Sequence, residues 1–388
     1  MLFAEFMKDK ILFGLFGFAI ICLFLYSYTQ VDLNLTLSQN GFILSFQRFF
    51  QHIGFFERQM STILYVLIMT LLFILYFIFL RSVKKGHMSG RQIWTLIIFS
   101  AIILNFSYNA FSYDLFNYIF DAKIITHYHL NPYIHRALDF PGDPMLLFMH
   151  WTHRLYPYGP SWLGLTVPLS YIGLGFFLPT LFLFKTMTTA FFLGTVYFIG
   201  KILKRVGSTD QNLGVLFFGL NPLVISEVLV SSHNDMSMMF FAVLSFYLLL
   251  NRKNLWSFVS LLVSVGVKFA TAFLFPVWFY LIRSKKPDFE KAFFMSFILM
   301  GIAVLVATFR TSFQPWYYFY VLPFISLTLK KYNLFWVGIL ISILALLDYI
   351  PFLYFGNWNS PAPAVIFWTT AAGFVGSLIL IIKPRVLK

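Results

Sequence analysis

The chain has 388 residues, 60% of them hydrophobic and only 11% charged, with a mean hydropathy of +0.80. A soluble domain of this length needs far more charge to cover its surface, so a soluble enzyme is excluded. The net charge of +14 would suit a nucleic-acid partner, but its placement excludes one: most Lys and Arg sit in short clusters between apolar runs, which is the positive-inside pattern of a membrane protein.

Taken in chain order, apolar segments near the roughly 20 residues that cross a bilayer core recur from end to end. Helices are expected near 11–29, 61–81, 92–109, 179–200, 212–230, 236–250, 255–267, 269–282, 292–309, 315–329, 333–352 and 363–383. The fold class is therefore all-α, a polytopic transmembrane helical bundle of about 12 helices. No alternating strand pattern points to a β-barrel. The first run has no small-residue cleavage site behind it and reads as a retained helix rather than a signal peptide. Cys22, the single cysteine, excludes a disulfide framework within one chain.

The basic clusters at 81–91, 201–205, 251–254, 283–291, 330–331 and 383–388 mark the cytoplasmic side. Both termini are then cytoplasmic, and residues 1–388 form a single integral membrane domain. The segment 110–178 becomes a large outer-face loop. Within it, 161–177 is apolar but holds Pro168 and two glycines, and reads as an interfacial or re-entrant helix. Residues 255–282 run between two inside clusters with about 13 residues per arm, too short for two full spans. A turn near Gly266 and Lys268 within the membrane is expected there.

Non-basic polar residues collect on the outer side. Asp114 and Asp121 lie seven residues apart; on a helix this is about two turns, which puts both carboxylates on one face near Asn117 and Tyr118. A desolvated carboxylate at the membrane boundary is a candidate general base. The same pair would also suit the solvated face of an amphipathic helix. His127, His129, His135, His150 and His153 crowd the outer loop without a recognised metal spacing; a divalent metal is not favoured. In "NPLVISEVLVSSHND" (221–235), Glu227 stands within an apolar helix and His233, Asn234 and Asp235 at the following turn. Asn-Asp suits a simple turn, but an ionisable residue inside the membrane needs a partner or a pathway. Lys268, Arg310 and Lys185 run against the orientation signal and suggest a bound anion such as phosphate, although snorkelling would also account for Lys185 and Arg310.

Five stretches, "SYDLFNYIFDAKI…HLNPY", "YPYGPSWLGL", "NPLVISEVLVSSHND", "VGVKFATAFLFP" and "QPWYYFYVLP", together resemble the signature segments of the polytopic GT-C glycosyltransferases. The nearest branch is similar to the prokaryotic polyprenol-phosphate-mannose-dependent mannosyltransferases, over roughly residues 100–330. The resemblance implies transfer of a hexose, mannose first, from a polyprenyl-phosphate sugar donor to a glycan or glycolipid acceptor. The transfer would invert the anomeric centre at the outer face of a prokaryotic plasma membrane, with membrane lipids around it and no cofactor. By motif, Asp114 would be the catalytic base. Asp121, Glu227, His233, Asn234, Asp235 and Tyr158 would shape the acceptor or sugar site. Lys268, Arg310, Gln314, Trp316 and Lys185 would surround the donor phosphate.

Two other classes stay open on sequence. A lipid-linked-sugar flippase or transporter would spread polar residues through the bilayer depth. A glycan ligase acting on a polyprenyl pyrophosphate would call for more outer cations.

Overall fold

The computed structural model describes residues 2–329 and 333–382. The expected basic pair at 330–331 and the cluster at 383–388 lie outside the described residues. The chain is all-helical, with 76% helix and no strand among the described residues. Its helices are α1 (Leu2–Ser27), α2 (Gly41–Phe55), α3 (Arg58–Lys84), α4 (Gly90–Asn105), α5 (Asp114–Thr126), α6 (Pro160–Ile172), α7 (Phe177–Arg205), α8 (Gln211–Gly219), α9 (Pro222–Val224), α10 (Asp235–Leu250), α11 (Asn254–Val267), α12 (Phe275–Arg283), α13 (Phe289–Thr311), α14 (Leu322–Leu327), α15 (Leu334–Leu347), α16 (Tyr349–Phe355) and α17 (Ala362–Ile382).

Among the described residues, six stretches are long and apolar enough to cross a membrane: Lys10–Gln30, Arg58–Lys84, Phe177–Arg205, Phe289–Thr311, Leu334–Phe355 and Ala362–Ile382. The pair Gln211–Gly219 and Pro222–Val230, bent by 43°, makes a seventh if taken as one span. Gly90–Asn105, Asp235–Leu250, Asn254–Val267 and Phe269–Arg283 are apolar but shorter. Length and composition thus give six or seven spans rather than twelve.

The breaks have local causes. Pro222 has no N–H to continue α8, and the Asn221 side chain instead accepts from Leu223 N at 2.9 Å. The chain then leaves α9 through a π-turn, Ile225–Val230. At Lys268 the backbone is extended (φ −144°, ψ 130°), which ends α11 before a 3-10 turn, Phe269–Leu274. The helix expected over 315–329 is a correction: a 3-10 turn, Pro315–Tyr320, is followed by the six-residue α14, with prolines opening each piece. Two prolines in one short stretch remove donors that a continuous helix needs.

Helix α2 lies where an outer loop is expected. Gln47 and Gln51 are buried on one face, and their side-chain amides reach back to Leu35 O (2.6 Å) and Asp32 O (3.0 Å). Phe42, Phe49 and Phe56 are exposed. Around the centre, α10 packs on α7 and α11, α5 on α6 and α7, and α15 on α17. This packing brings the start of α5, the π-turn, the start of α10 and the broken end of α11 to one place.

Candidate active site

Asp114 is the first residue of α5, where the helix N-terminus favours a negative charge. Its backbone N–H donates to Ser112 Oγ at 3.2 Å. Its side chain is 17% exposed, so a substrate hydroxyl can reach it. One turn on, Tyr118 OH approaches Asp114 Oδ2 at 3.5 Å.

Behind Asp114 stands His233. Its Nδ1 lies 3.6 Å from Asp114 Oδ2, and its Nε2 lies 3.2 Å from Glu227 Oε2. The side chains of His233 and Glu227 are wholly buried. Trp316 covers the imidazole face, with ring centroids 3.8 Å apart and planes at 20°. Burial alone would lower the imidazole, but the two carboxylates outweigh it and raise His233 from 6.5 to about 9. Burial alone would likewise raise Asp114. His233, with Lys268 and Arg154 at longer range, overrides burial and holds its carboxyl below the ordinary value. Desolvation therefore does not set the base as expected: Asp114 is kept ionised by neighbouring cations.

On the other side of Asp114, Lys268 Nζ lies 2.8 Å from both carboxylate oxygens of Asp235. The ammonium also faces the rings of Tyr158, at 5.5 Å from its centroid, and Tyr317, at 6.0 Å. Tyr158 meets Tyr118 edge-on at 5.3 Å. The loop carrying Tyr158 is held against the end of α11. Gly159 N–H donates to Val267 O at 3.2 Å. A Cβ at Gly159 would stand 2.2 Å from Gly266 O, so only glycine permits this approach.

Asp114, Glu227, His233, Asp235, Lys268, Tyr158 and Trp316 are thus gathered by contacts linking one to the next. The remaining candidates are placed differently. Asp121, further along α5, has no hydrogen-bond or ion-pair partner among the described residues, and burial pushes its carboxyl well above the usual range. Asn234 is wholly buried beside His233, and neither polar atom of its side chain is hydrogen-bonded. Arg310 is exposed in the last turn of α13. Gln314 reaches only Ser312 Oγ, at 3.4 Å.

Lys185 has internal partners. It is fully buried and donates to Ser107 Oγ (3.3 Å), Leu229 O (3.0 Å) and Val230 O (2.8 Å). An ammonium has three donors; here one goes to Ser107 and two to carbonyls at the end of the π-turn.

In the outer loop, His150 lies against Tyr113 with centroids 3.8 Å apart, and His135 Nδ1 is 3.6 Å from Asp139. Lys123 pairs with Asp143, which also accepts from Tyr128 OH at 2.7 Å. Among the described residues, no three His, Cys, Asp or Glu side chains form a group able to hold a metal ion. Arg154, whose charge bears on Asp114, was not among the sequence candidates. It lies four residues before Tyr158, and an arginine amid outer-loop aromatics was the available signal.

The buried, charged cluster lies among apolar helices, and by its family the chain is a glycosyltransferase. The chain belongs to the MptA_B family: the model of the alpha-(1->6)-mannopyranosyltransferase N-terminal domain matches residues 11–283. The motif resemblance to GT-C mannosyltransferases is borne out by this match. A sugar donor, a glycan acceptor and membrane lipids follow as its partners. No curated protein and no solved structure matches the chain.

Proposed function

We propose that this mannosyltransferase takes mannose from a polyprenyl-phosphate donor and passes it, with inversion, to a hydroxyl of a glycan or glycolipid. The observation that carries this reading is the ionised, partly exposed Asp114 facing the Lys268 side of the same cluster. The acceptor oxygen forms a bond to the anomeric carbon as the bond from that carbon to the phosphate oxygen breaks. The acceptor proton goes to Asp114, and the leaving phosphate keeps the electron pair. Positive charge grows on the sugar and negative charge on the phosphate, so an anion near the first and cations near the second lower the barrier.

Lys268 and the exposed Arg310 are the cations assigned to the phosphate. With Lys185 engaged internally, two such residues suit a single phosphate better than a pyrophosphate. Trp316 and Gln314 flank that end. Asp121, Asn234 and Tyr158 border the sugar and acceptor. No metal takes part in this scheme. The lipid tail would stay in the bilayer, and the positive-inside pattern of the basic clusters supports a reaction at the outer face of a prokaryotic plasma membrane, with cytoplasmic termini. The whole chain acts as one domain, with 110–178 as its outer loop.

The test is a liposome assay with radiolabelled polyprenyl-phosphate mannose and, separately, the glucose donor. Wild type should transfer mannose, and Asp114→Asn should lose at least about 100-fold in rate while still binding donor. Transfer that survives in the variant would remove Asp114 as the base. No transfer from either donor by folded protein would remove the donor class.

A further inference from the structure

We infer that Glu227 is a positioning residue for sugar transfer: acting through His233, it fixes the orientation and charge of Asp114. The inference rests on the assignment of Asp114 as the base. Glu227 was a candidate for the sugar site on sequence, but its side chain is wholly buried and stands behind His233, so its route to the reaction runs through the imidazole.

The geometry is a clamp on three sides. Asp114 meets Nδ1, Glu227 meets Nε2, and Trp316 lies flat on the ring. A cationic imidazole has an N–H for each carboxylate and is attracted to the indole face. A neutral one has a single N–H. If the wholly buried Glu227 holds that proton, the bare Nδ1 lone pair faces Asp114 and repels it. Asp114 then loses both its nearest cation and its orienting contact. The π-turn, an uncommon backbone form that concentrates at functional sites, is the element that carries Glu227.

The charged and titratable groups around this pair come from several elements. Asp114 and Tyr118 face it from α5, and the Lys268–Asp235 pair stands at the junction of α10 and α11. Arg154 bears on Asp114 from the outer loop. Behind Glu227, Tyr65 of α3, Tyr349 and Asp348 lie within electrostatic reach. None of these contributes a cation to Glu227, so His233 is its only basic partner among the described residues.

The test follows His233 itself as well as turnover, using full-length protein in nanodiscs. Histidine-labelled NMR, with the His233 signals assigned from a His233→Gln sample, reads its protonation against pH. Wild-type His233 should keep both protons to about pH 9, and the alkaline limb of the rate should fall in the same range. In Glu227→Gln both transitions should move down by at least one pH unit. For a one-unit shift the rate should fall about twofold at pH 8 and about fivefold at pH 9, with donor KM unchanged. Glu227→Asp, which keeps the charge, should recover part of both shifts.

An unmoved His233 titration in Glu227→Gln would overturn the inference, as would a lower rate whose pH limbs do not shift. Failure of the base assignment shows separately: Asp114→Asn would retain transfer, while the effect of Glu227→Gln on the His233 signals would persist. If Glu227→Gln does not fold, Glu227→Asp decides, because its shorter carboxylate should lower the His233 transition by a smaller amount, and no change would count against the inference.

Discussion

Lys268 Nζ lies 2.8 Å from both carboxylate oxygens of Asp235. The cation assigned to the donor phosphate is therefore already paired, with the lysine side chain 19% exposed and the aspartate wholly buried. Removing one partner leaves the other charge uncompensated. Asp235→Asn should cost about 3 kcal/mol of stability, and the double variant Lys268→Met/Asp235→Asn should regain much of it. Thermal unfolding of Asp235→Asn, Lys268→Met and the double variant in detergent checks this; additive losses would mean that the pair is not coupled.

Arg310 is exposed and has no such partner among the described residues. Its role, if it meets the phosphate, is in binding the donor rather than in the fold. Arg310→Ala should raise donor KM about tenfold, equivalent to about 1.4 kcal/mol, with thermal stability unchanged. A normal donor KM would leave Lys268 as the sole cation of the scheme.

Lys185 behaves in the opposite way. It holds two carbonyls at the end of the π-turn, and Lys185→Met would orphan both. The expected loss is about 2–4 kcal/mol of stability, seen as a lower melting temperature and less folded protein. Donor affinity of the molecules that do fold should be normal. A stable variant with weakened donor binding would return Lys185 to the phosphate site.

Much of the architecture was legible from apolar runs and basic clusters, because membrane spans are set by length and composition. The broken pair α11 and Phe269–Arg283 falls where 255–267 and 269–282 were expected, since Lys268 interrupts an apolar run on a chain with few such interruptions. Helix α2 was not legible. Its polar face is two glutamines that bond to backbone carbonyls of the preceding segment, and a long-range pairing of that kind leaves no periodic signal.

The candidate site was legible as residue types and partly as proximity. Asp114, His233, Asp235 and Lys268 were singled out, but their pairing was not: Lys268 reads as a free cation in sequence and is bound to Asp235 in the fold. Lys185 reads as an anion ligand for the same reason, while in the fold it donates to Ser107 and two backbone carbonyls. A lone lysine in an apolar helix looks like a ligand for an anion, and only the three-dimensional fold reveals backbone carbonyls as its acceptors.

Asp121 offers a test of stability against pH. Burial raises its folded carboxyl well above 3.8 without a compensating cation. For a group raised in this way, its contribution is present below the unfolded value and is lost as pH rises through the folded value. Asn stays neutral throughout, so Asp121→Asn should match wild type near pH 4 and melt higher near pH 8. Melting curves at the two pH values check this, and a variant less stable at the higher pH would show that the ionised carboxylate is held by favourable contacts.

The seam between Gly159 and Gly266 bears on how such an enzyme turns over. The close approach of the two backbones and the Gly159 N–H bond to Val267 O tie the segment carrying Tyr158 to the one carrying Lys268. An opening that kept this contact would move both segments together. The ring and the ammonium then arrive at each new substrate as one preset piece, and the path of release is set by whichever neighbouring elements can part from it.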